Sequence, residues 1–257
     1  MIKEEIKFQD SSVFEGMTSI RAIIKSIDES ISNRRIEKII YDENKIEKIK
    51  KEIGYFRAVS DKYGFSLESS SSSELEKMTL GTSHGGIVAL CSNRIIPKLN
   101  DDVNIQENGF YAMIEGIEDP YNFGYALRSL YATGCSGIIL PERNWMSCAG
   151  VVCRSSAGAS ELFPIFSSDA LYAVDFFKKR NYRVVCGDRG TENILGKCEL
   201  KKPLLLIIGG EKRGISKKIL DKCDIKVKID YSRDFSASLS AASAATIFAY
   251  EIMRQNS

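Results

Sequence analysis

Two patterns of apolar and polar positions divide the chain. From about residue 14 to 93 helical and strand spacings mix. "GMTSIRAIIKSIDESI" (16–31) carries apolar residues at helical intervals and "IEKIIYD" (36–42) reads as a strand. A longer charged helix is predicted from Lys45 to Tyr63, then "FSLES", a short helix "SELEKMTL" and a strand "GIVALC". The run Ser69 to Ser73 is predicted to be a loop and the N-cap of that short helix. From Gly109 onward, apolar runs alternate with helices. The strand candidates are "FYAMIEGI", "GIILP", "LFPIF", "YRVVCG", "PLLLIIGG" and "IKVKID", and the last helix is "SLSAASAATIFAYEIMRQ". Such alternation implies an α/β fold with a parallel sheet covered on both faces, whose ligands sit at the carboxyl ends of the strands. Between the two patterns, "SNRIIPKLNDDVNIQENG" carries Pro97 and a polar cluster. The predicted division is residues 1–95, a linker 96–108, and 109–257.

Composition narrows the chemistry. At 257 residues, 44% hydrophobic and 27% charged, the chain is ordinary for a globular protein. Its apolar runs fall short of the ~20 residues of a membrane span, and "MIKEEIKFQDSS" lacks the apolar core of a signal peptide, so a cytoplasmic location and no membrane partner are expected. The seven cysteines are scattered without a CxxC pair, which fits reduced thiols and no metal site. The one histidine, His84, is the only base a Ser-His-Asp or Cys-His hydrolase could use, and it rules out a multi-histidine metal centre. A net charge of +2 means that any RNA contact must come from local patches. "NRR" (33–35) and "KKRNYR" (178–183) are the candidates, each also readable as a solvated face.

Three segments carry candidate chemistry. In "PYNFGYALRSLYATG" (120–134), Asn122 is the expected N-cap, and Phe123, Ala126, Leu127, Leu130 and Tyr131 form an apolar stripe. Gly134 stops the helix as its C′ residue. Gly124 lies one turn before Arg128, whose side chain leans toward the helix N-terminus and would bring its guanidinium to Asn122, an arrangement suited to an anion. Read alone, the same residues are equally a surface arginine beside a packing glycine. "PLLLIIGGEKRGIS" sets Gly209, Gly210 and Gly214 around Glu211 after a buried strand, where backbone amides can approach a ligand. It is neither GxGxxG nor a Walker sequence, and a plain strand-to-helix turn explains it as well. "IDYSRDFSASLS" then leads into a helix whose small residues, Ala241 to Ala245, admit a close backbone neighbour or simply pack in the core.

Together these segments are far more specific. Asn122, Gly124, Arg128 and Gly134 in "NxGxxxRxxxxxG", Gly209 to Ile215 in "GGExxGI", and "SLS" before a small-residue helix ending in Tyr250 and Glu251 resemble the three ordered motifs of the SpoU-type RNA ribose 2′-O-methyltransferases of the SPOUT superfamily. "SSAGASELFPI" (155–165) resembles the segment between that family's first and second motifs. "GMTSIRAII" and "TSHGGIVAL" resemble the L30e-like substrate-binding domain of its ribosomal-RNA-modifying members.

The resemblance implies a C-terminal α/β knot, a deep trefoil, preceded by a small L30e-like α/β domain that delivers RNA. General connection rules disfavour knots, and the periodicity alone predicts an ordinary doubly wound sheet. The resemblance further implies S-adenosyl-L-methionine as cofactor, RNA, more ribosomal than transfer, as partner, and a homodimer joined through the C-terminal domains. The cofactor-binding residues it implies are Gly187, Ile208, Gly209, Gly210, Glu211, Gly214, Ile229, Ser238 and Leu239. The implied catalytic set is Arg128, Asn122, Glu211, Ser238 and Ser240. The third motif departs from the family pattern. Asp230 stands where a proline is common, the loop is about one residue longer, and Ser240 replaces the asparagine of "SLN". A catalytically weak RNA- or S-adenosylmethionine-binding protein of the same fold is therefore the alternative.

Overall fold

The computed structural model describes residues 13–79, 84–141, 148–210 and 213–257. The chain forms two compact units. One takes in residues up to Ile95 together with 144–162, and the other comprises 96–143 and 163–257.

The first unit is built on a four-stranded sheet in the order β1 (Val13–Glu15), β4 (Ile87–Cys91), β2 (Ile36–Asp42), β3 (Ser66–Ser70). β4 runs antiparallel to both its neighbours, while β2 and β3 are parallel. Helices α1 (Gly16–Asp28), α2 (Lys50–Tyr63) and α3 (Ser72–Met78) complete its N-terminal part. The apolar stripe of α1, Ile20, Ile23 and Ile24, packs with Phe14, Ile36, Ile39, Phe56 and Ile87 in one core. Residues 144–162 supply α5 (Ala149–Ser155), whose Ala149 and Cys153 join that core. α5 lies so close to β1 that a Cβ at Gly150 would stand 2.1 Å from the Val13 carbonyl oxygen.

Three expectations for this unit are corrected. The charged helix begins at Lys50, because the Asp42 carboxylate accepts the Asn44 N–H and holds Glu43–Lys45 as a separate 3-10 turn. The serine run is strand as far as Ser70, with Ser71 accepting from the Glu74 N–H as the N-cap of α3. Of "NRR" only Asn33 and Arg35 are exposed, and Arg34 is fully buried. Its Nε and Nη2 donate to the Glu161 carboxylate at 3.0 and 3.3 Å, Nη1 donates to the Ser92 carbonyl, and the guanidinium lies over Phe14.

The second unit is a six-stranded sheet in the order β10 (Ile225–Val227), β8 (Arg183–Gly187), β9 (Leu204–Gly209), β5 (Phe110–Glu115), β6 (Gly137–Leu140), β7 (Ile165–Ser167). All five pairings are parallel, and five strands fall within their apolar runs, while β7 begins only at Ile165 of "LFPIF" and ends one residue past it. The central β9, "LLLIIG", is buried at its first five positions, as a strand covered on both faces must be. α6 (Ala170–Lys179) covers one face together with the short α7 (Lys217–Leu220), and Tyr111, Phe177 and Tyr182 meet there with ring centroids 5.0–5.9 Å apart. α4 (Pro120–Ala132) and α8 (Ala241–Gln255) pack against each other, tied by a hydrogen bond from Thr246 Oγ1 to Ser129 Oγ at 2.7 Å. In "KKRNYR" three of the four cations are engaged: Lys178 with Asp224, Arg180 with Asp101 and over Phe176, and Arg183 near Glu199.

Candidate functional site

Gly187 ends β8, Gly209 ends β9, and Val227 ends β10, so three neighbouring strands release their carboxyl ends side by side. The chain after each strand turns into one cavity of about 350 Å³, within the range of small-molecule pockets. Gly187, Ile208, Gly209, Gly210, Gly214, Ile229, Ser238 and Leu239 all line it. The structure thus brings together eight of the nine residues named as candidate cofactor ligands; Glu211 lies outside the described residues.

Much of the wall is bare backbone, and the packing requires it. A Cβ at Gly209 would meet the backbone of Gly214 and Ile215 at 2.5 and 2.7 Å, and one at Gly210 would meet the Gly116 carbonyl oxygen at 2.2 Å. At Gly187 the contact would be the Phe248 ring at 3.3 Å. The Gly214 N–H returns to the Gly210 carbonyl at 2.9 Å, closing the loop tightly with Gly214 at φ +61°, a conformation suited to glycine.

Of the charged groups on the wall, Asp188, Arg189 and Lys228 stand at the ends of strands outside the three motifs, while Arg213 occupies a variable position of "GGExxGI". Arg189 is the most connected of them. Its guanidinium donates to the carbonyls of Ser236 and Phe235 at 3.2 and 3.3 Å and to Ser238 Oγ at 3.3 Å, and it lies 5.6 Å from the Tyr231 ring centroid. Tyr231 Oη in turn accepts from the Leu239 N–H at 3.2 Å. Arg189 and Tyr231 fall within the segments expected to bind the donor, 186–190 and 229–240, but were not singled out as ligands, and Phe248 lies outside those segments. The available signal was position alone, since Asp188 and Arg189 directly follow a parallel strand.

Ser240 is the N-cap of α8. Its Oγ accepts from the Ser243 N–H at 3.1 Å and shares a hydrogen bond with Ser243 Oγ at 3.0 Å. It stands next to the cavity wall at Leu239 and Ala241.

Arg128 and Asn122 sit on α4, outside the set of lining residues. The N-cap of this helix is Asp119, whose carboxylate accepts from the Tyr121 N–H, and Pro120 follows in the first turn. That arrangement displaces Asn122 from the expected cap, because proline is preorganised for the first helical position. At the other end the Gly134 N–H reaches the Tyr131 carbonyl and the Cys135 N–H the Leu130 carbonyl, a Schellman motif with Gly134 at φ +83°. Gly124 is buried while Arg128 is exposed. Tyr131, expected in the apolar stripe, is partly exposed and edge-on to Phe163. Tyr121 and Tyr125 share the exposed face of α4 with Arg128, and Ile247 and Tyr250 are exposed on α8.

His84 is buried in the first unit, where Nδ1 accepts from the Gly86 N–H, and burial lowers its pKa. Among the described residues no cluster of histidine, cysteine and carboxylate side chains is arranged to hold a metal ion, and no helix is long and apolar enough to cross a membrane.

Comparison with known proteins follows the same lines. Over 229 residues the chain is 26% identical to YacO of Bacillus subtilis (strain 168), a protein assigned to the TrmH family of tRNA/rRNA methyltransferases, covering 87% of this chain and 90% of that one. Its fold matches the SpoU methyltransferase AviRb from Streptomyces viridochromogenes, solved in complex with AdoMet, at TM-score 0.76 and 21% identity over 95% of this chain and 89% of that one. An RNA 2′-O ribose methyltransferase superposes at TM-score 0.76 and 19% identity, over 95% and 88% of the two chains. Residues 109–250 match the model of the SpoU rRNA Methylase family, and the chain belongs to that family.

Proposed function

We propose that the protein transfers a methyl group from S-adenosylmethionine to a ribose 2′-hydroxyl of RNA, ribosomal RNA rather than transfer RNA. The observation that carries this reading is the cavity at the ends of β8, β9 and β10. Its glycine-rich wall offers backbone N–H and C=O groups to an adenine edge, Ile208 and Leu239 offer apolar surface, and Arg189, Arg213 and Lys228 offer cations to a carboxylate. The donor set therefore fits S-adenosylmethionine. When bound, it supplies a methyl group already activated by the sulfonium, so the protein has mainly to align a hydroxyl with it.

In this reading Arg128 anchors the RNA phosphate and stabilises negative charge developing on the ribose oxygen. A guanidinium with pKa above about 12 is a poor base, and its planar fork suits a phosphate. Asn122 and Glu211 position Arg128 or the substrate. Ser238 borders the cavity through its bond with Arg189, and Ser240 does the family asparagine's work from the N-cap of α8. Arg128 acts on the cavity of a second copy: it shares an exposed aromatic face with Tyr121 and Tyr125, the kind of surface that marks a protein interface. The protein is accordingly a cytoplasmic homodimer joined through its C-terminal units, each an α/β knot. The L30e-like N-terminal domain, 1–95, brings in structured RNA.

The test is calorimetric titration with S-adenosylmethionine, together with transfer of labelled methyl to RNA from cells lacking the protein. Arg128→Ala is expected to keep donor affinity and lose about 10² in turnover, with lysine a poor substitute. Ser240→Asn, an equally good N-cap, is expected to be neutral or mildly activating. Absence of donor binding, or an Arg128→Ala protein as active as wild type, would overturn the reading.

A further inference from the structure

The loop between Ile229 and α8 has a feature that the donor cavity does not use. Tyr231 and Ser238 face the cavity, but Phe235, between them, is absent from its wall and 51% exposed. A lone exposed apolar side chain is ordinary, but this one is held in place. Arg189 donates to the Phe235 and Ser236 carbonyls and to Ser238 Oγ, and the Phe235 ring stands 6.1 Å from Tyr231, itself pinned by the Leu239 N–H. The backbone around the ring is therefore fastened to the end of β8, while the ring itself is left open to solvent.

The loop's charges nearly cancel, with Asp230 and Asp234 against Arg233, so an ionic contact is not what it offers. It offers a ring at the edge of the cavity. A nucleotide whose ribose reaches that cavity carries its base within one nucleotide's span, and the cationic residues Arg189, Arg213 and Lys228 outnumber Asp188 along the same wall, as a polyanion requires. We propose that Phe235, held by Arg189 and Tyr231, is the surface on which the base of the target nucleotide stacks, so that the loop sets the position of the ribose before the donor. This rests on the proposed function, of which it specifies the RNA contact.

The experiment compares wild type with Phe235→Ala, Phe235→Leu and Phe235→Trp in the full chain. It measures donor affinity by calorimetry, affinity for RNA from cells lacking the protein by fluorescence anisotropy, KM and kcat for that RNA, and mass by light scattering. Loss of one base–aromatic stack is expected to weaken RNA affinity and raise KM about 5- to 150-fold in the alanine variant. Leucine, apolar but without a ring, is expected not to restore it, whereas tryptophan is. Donor affinity and mass stay at wild-type values, and kcat falls with the lost positioning of the ribose. Unchanged RNA affinity in Phe235→Ala, full rescue by leucine, or a change of oligomeric state, which would mean that a second copy covers the ring, would each overturn the proposal. Methyl transfer by the wild type tests the proposed function separately. RNA affinity that depends on the ring in a protein transferring no methyl would sustain the loop's role while removing the catalytic one.

Discussion

Arg34 and Glu161 are 127 residues apart, and their side chains are 1% and 4% exposed. A charge buried this deeply is tolerable only while its partner and hydrogen bonds remain. Arg34→Ala is expected to cost about 3–5 kcal/mol, read from urea unfolding, because it strips the buried Glu161 carboxylate of the guanidinium that donates two hydrogen bonds to it. The paired change Arg34→Met with Glu161→Leu should cost much less. Nothing in "NRR" distinguishes the one buried arginine from its neighbour, since burial was decided by a segment that arrives far later in the chain. The thiols carry a second consequence of burial, which pushes Cys91 and Cys135 up to about 12 from 9.0. Unfolded thiols lose their protons first, so the contribution of these groups is fully present below pH 9 and is lost as pH rises toward 12. Urea midpoints measured at pH 8 and pH 10 should fall more steeply for wild type than for Cys91→Ala/Cys135→Ala.

At the scale of elements, the six parallel strands and the two long helices of the second unit were legible because each is an uninterrupted apolar run or stripe. The ends were less so. Asn122 has the right chemistry for a cap, but Asp119 followed by Pro120 has better geometry. β1 is three residues without a longer apolar run around it, and α5 starts without a side-chain cap, unlike the equally short α3 with its Ser71 cap. The glycines of "PLLLIIGGEKRGIS" were recognisable as a loop, though only the structure shows which of them the backbone cannot do without. Gly210→Ala would drive a Cβ into the Gly116 carbonyl, backbone against backbone, and is expected to abolish donor binding in calorimetry and lower thermal stability. Gly187→Ala meets only the edge of the Phe248 ring, and Phe248→Leu should relieve most of its smaller loss. Equal effects of the two substitutions would show that the close Gly116–Gly210 approach is not what shapes the wall.

For the molecule as a whole, the eight candidate ligands that meet at the cavity were found through their resemblance to ordered motifs, because no spacing rule brings residues 187, 208 and 239 together. Arg189 and Phe235 lay within the expected segments 186–190 and 229–240, but their individual contacts were illegible, because these come from hydrogen bonds across a loop that departs from the family pattern. The division into units was illegible at α5, which follows β6 in sequence but contributes Ala149 and Cys153 to the core of the N-terminal strands. That excursion imposes an order of events on synthesis. When Ile95 leaves the ribosome, α1 and β1 to β4 are complete but lack Ala149, Cys153 and the counter-charge for Arg34. At rates of ~5–20 residues per second the missing segment follows only seconds later. Through that interval the first half of the chain waits with an open core and an unneutralised arginine, and it is finished by a segment that emerges after β5, α4 and β6.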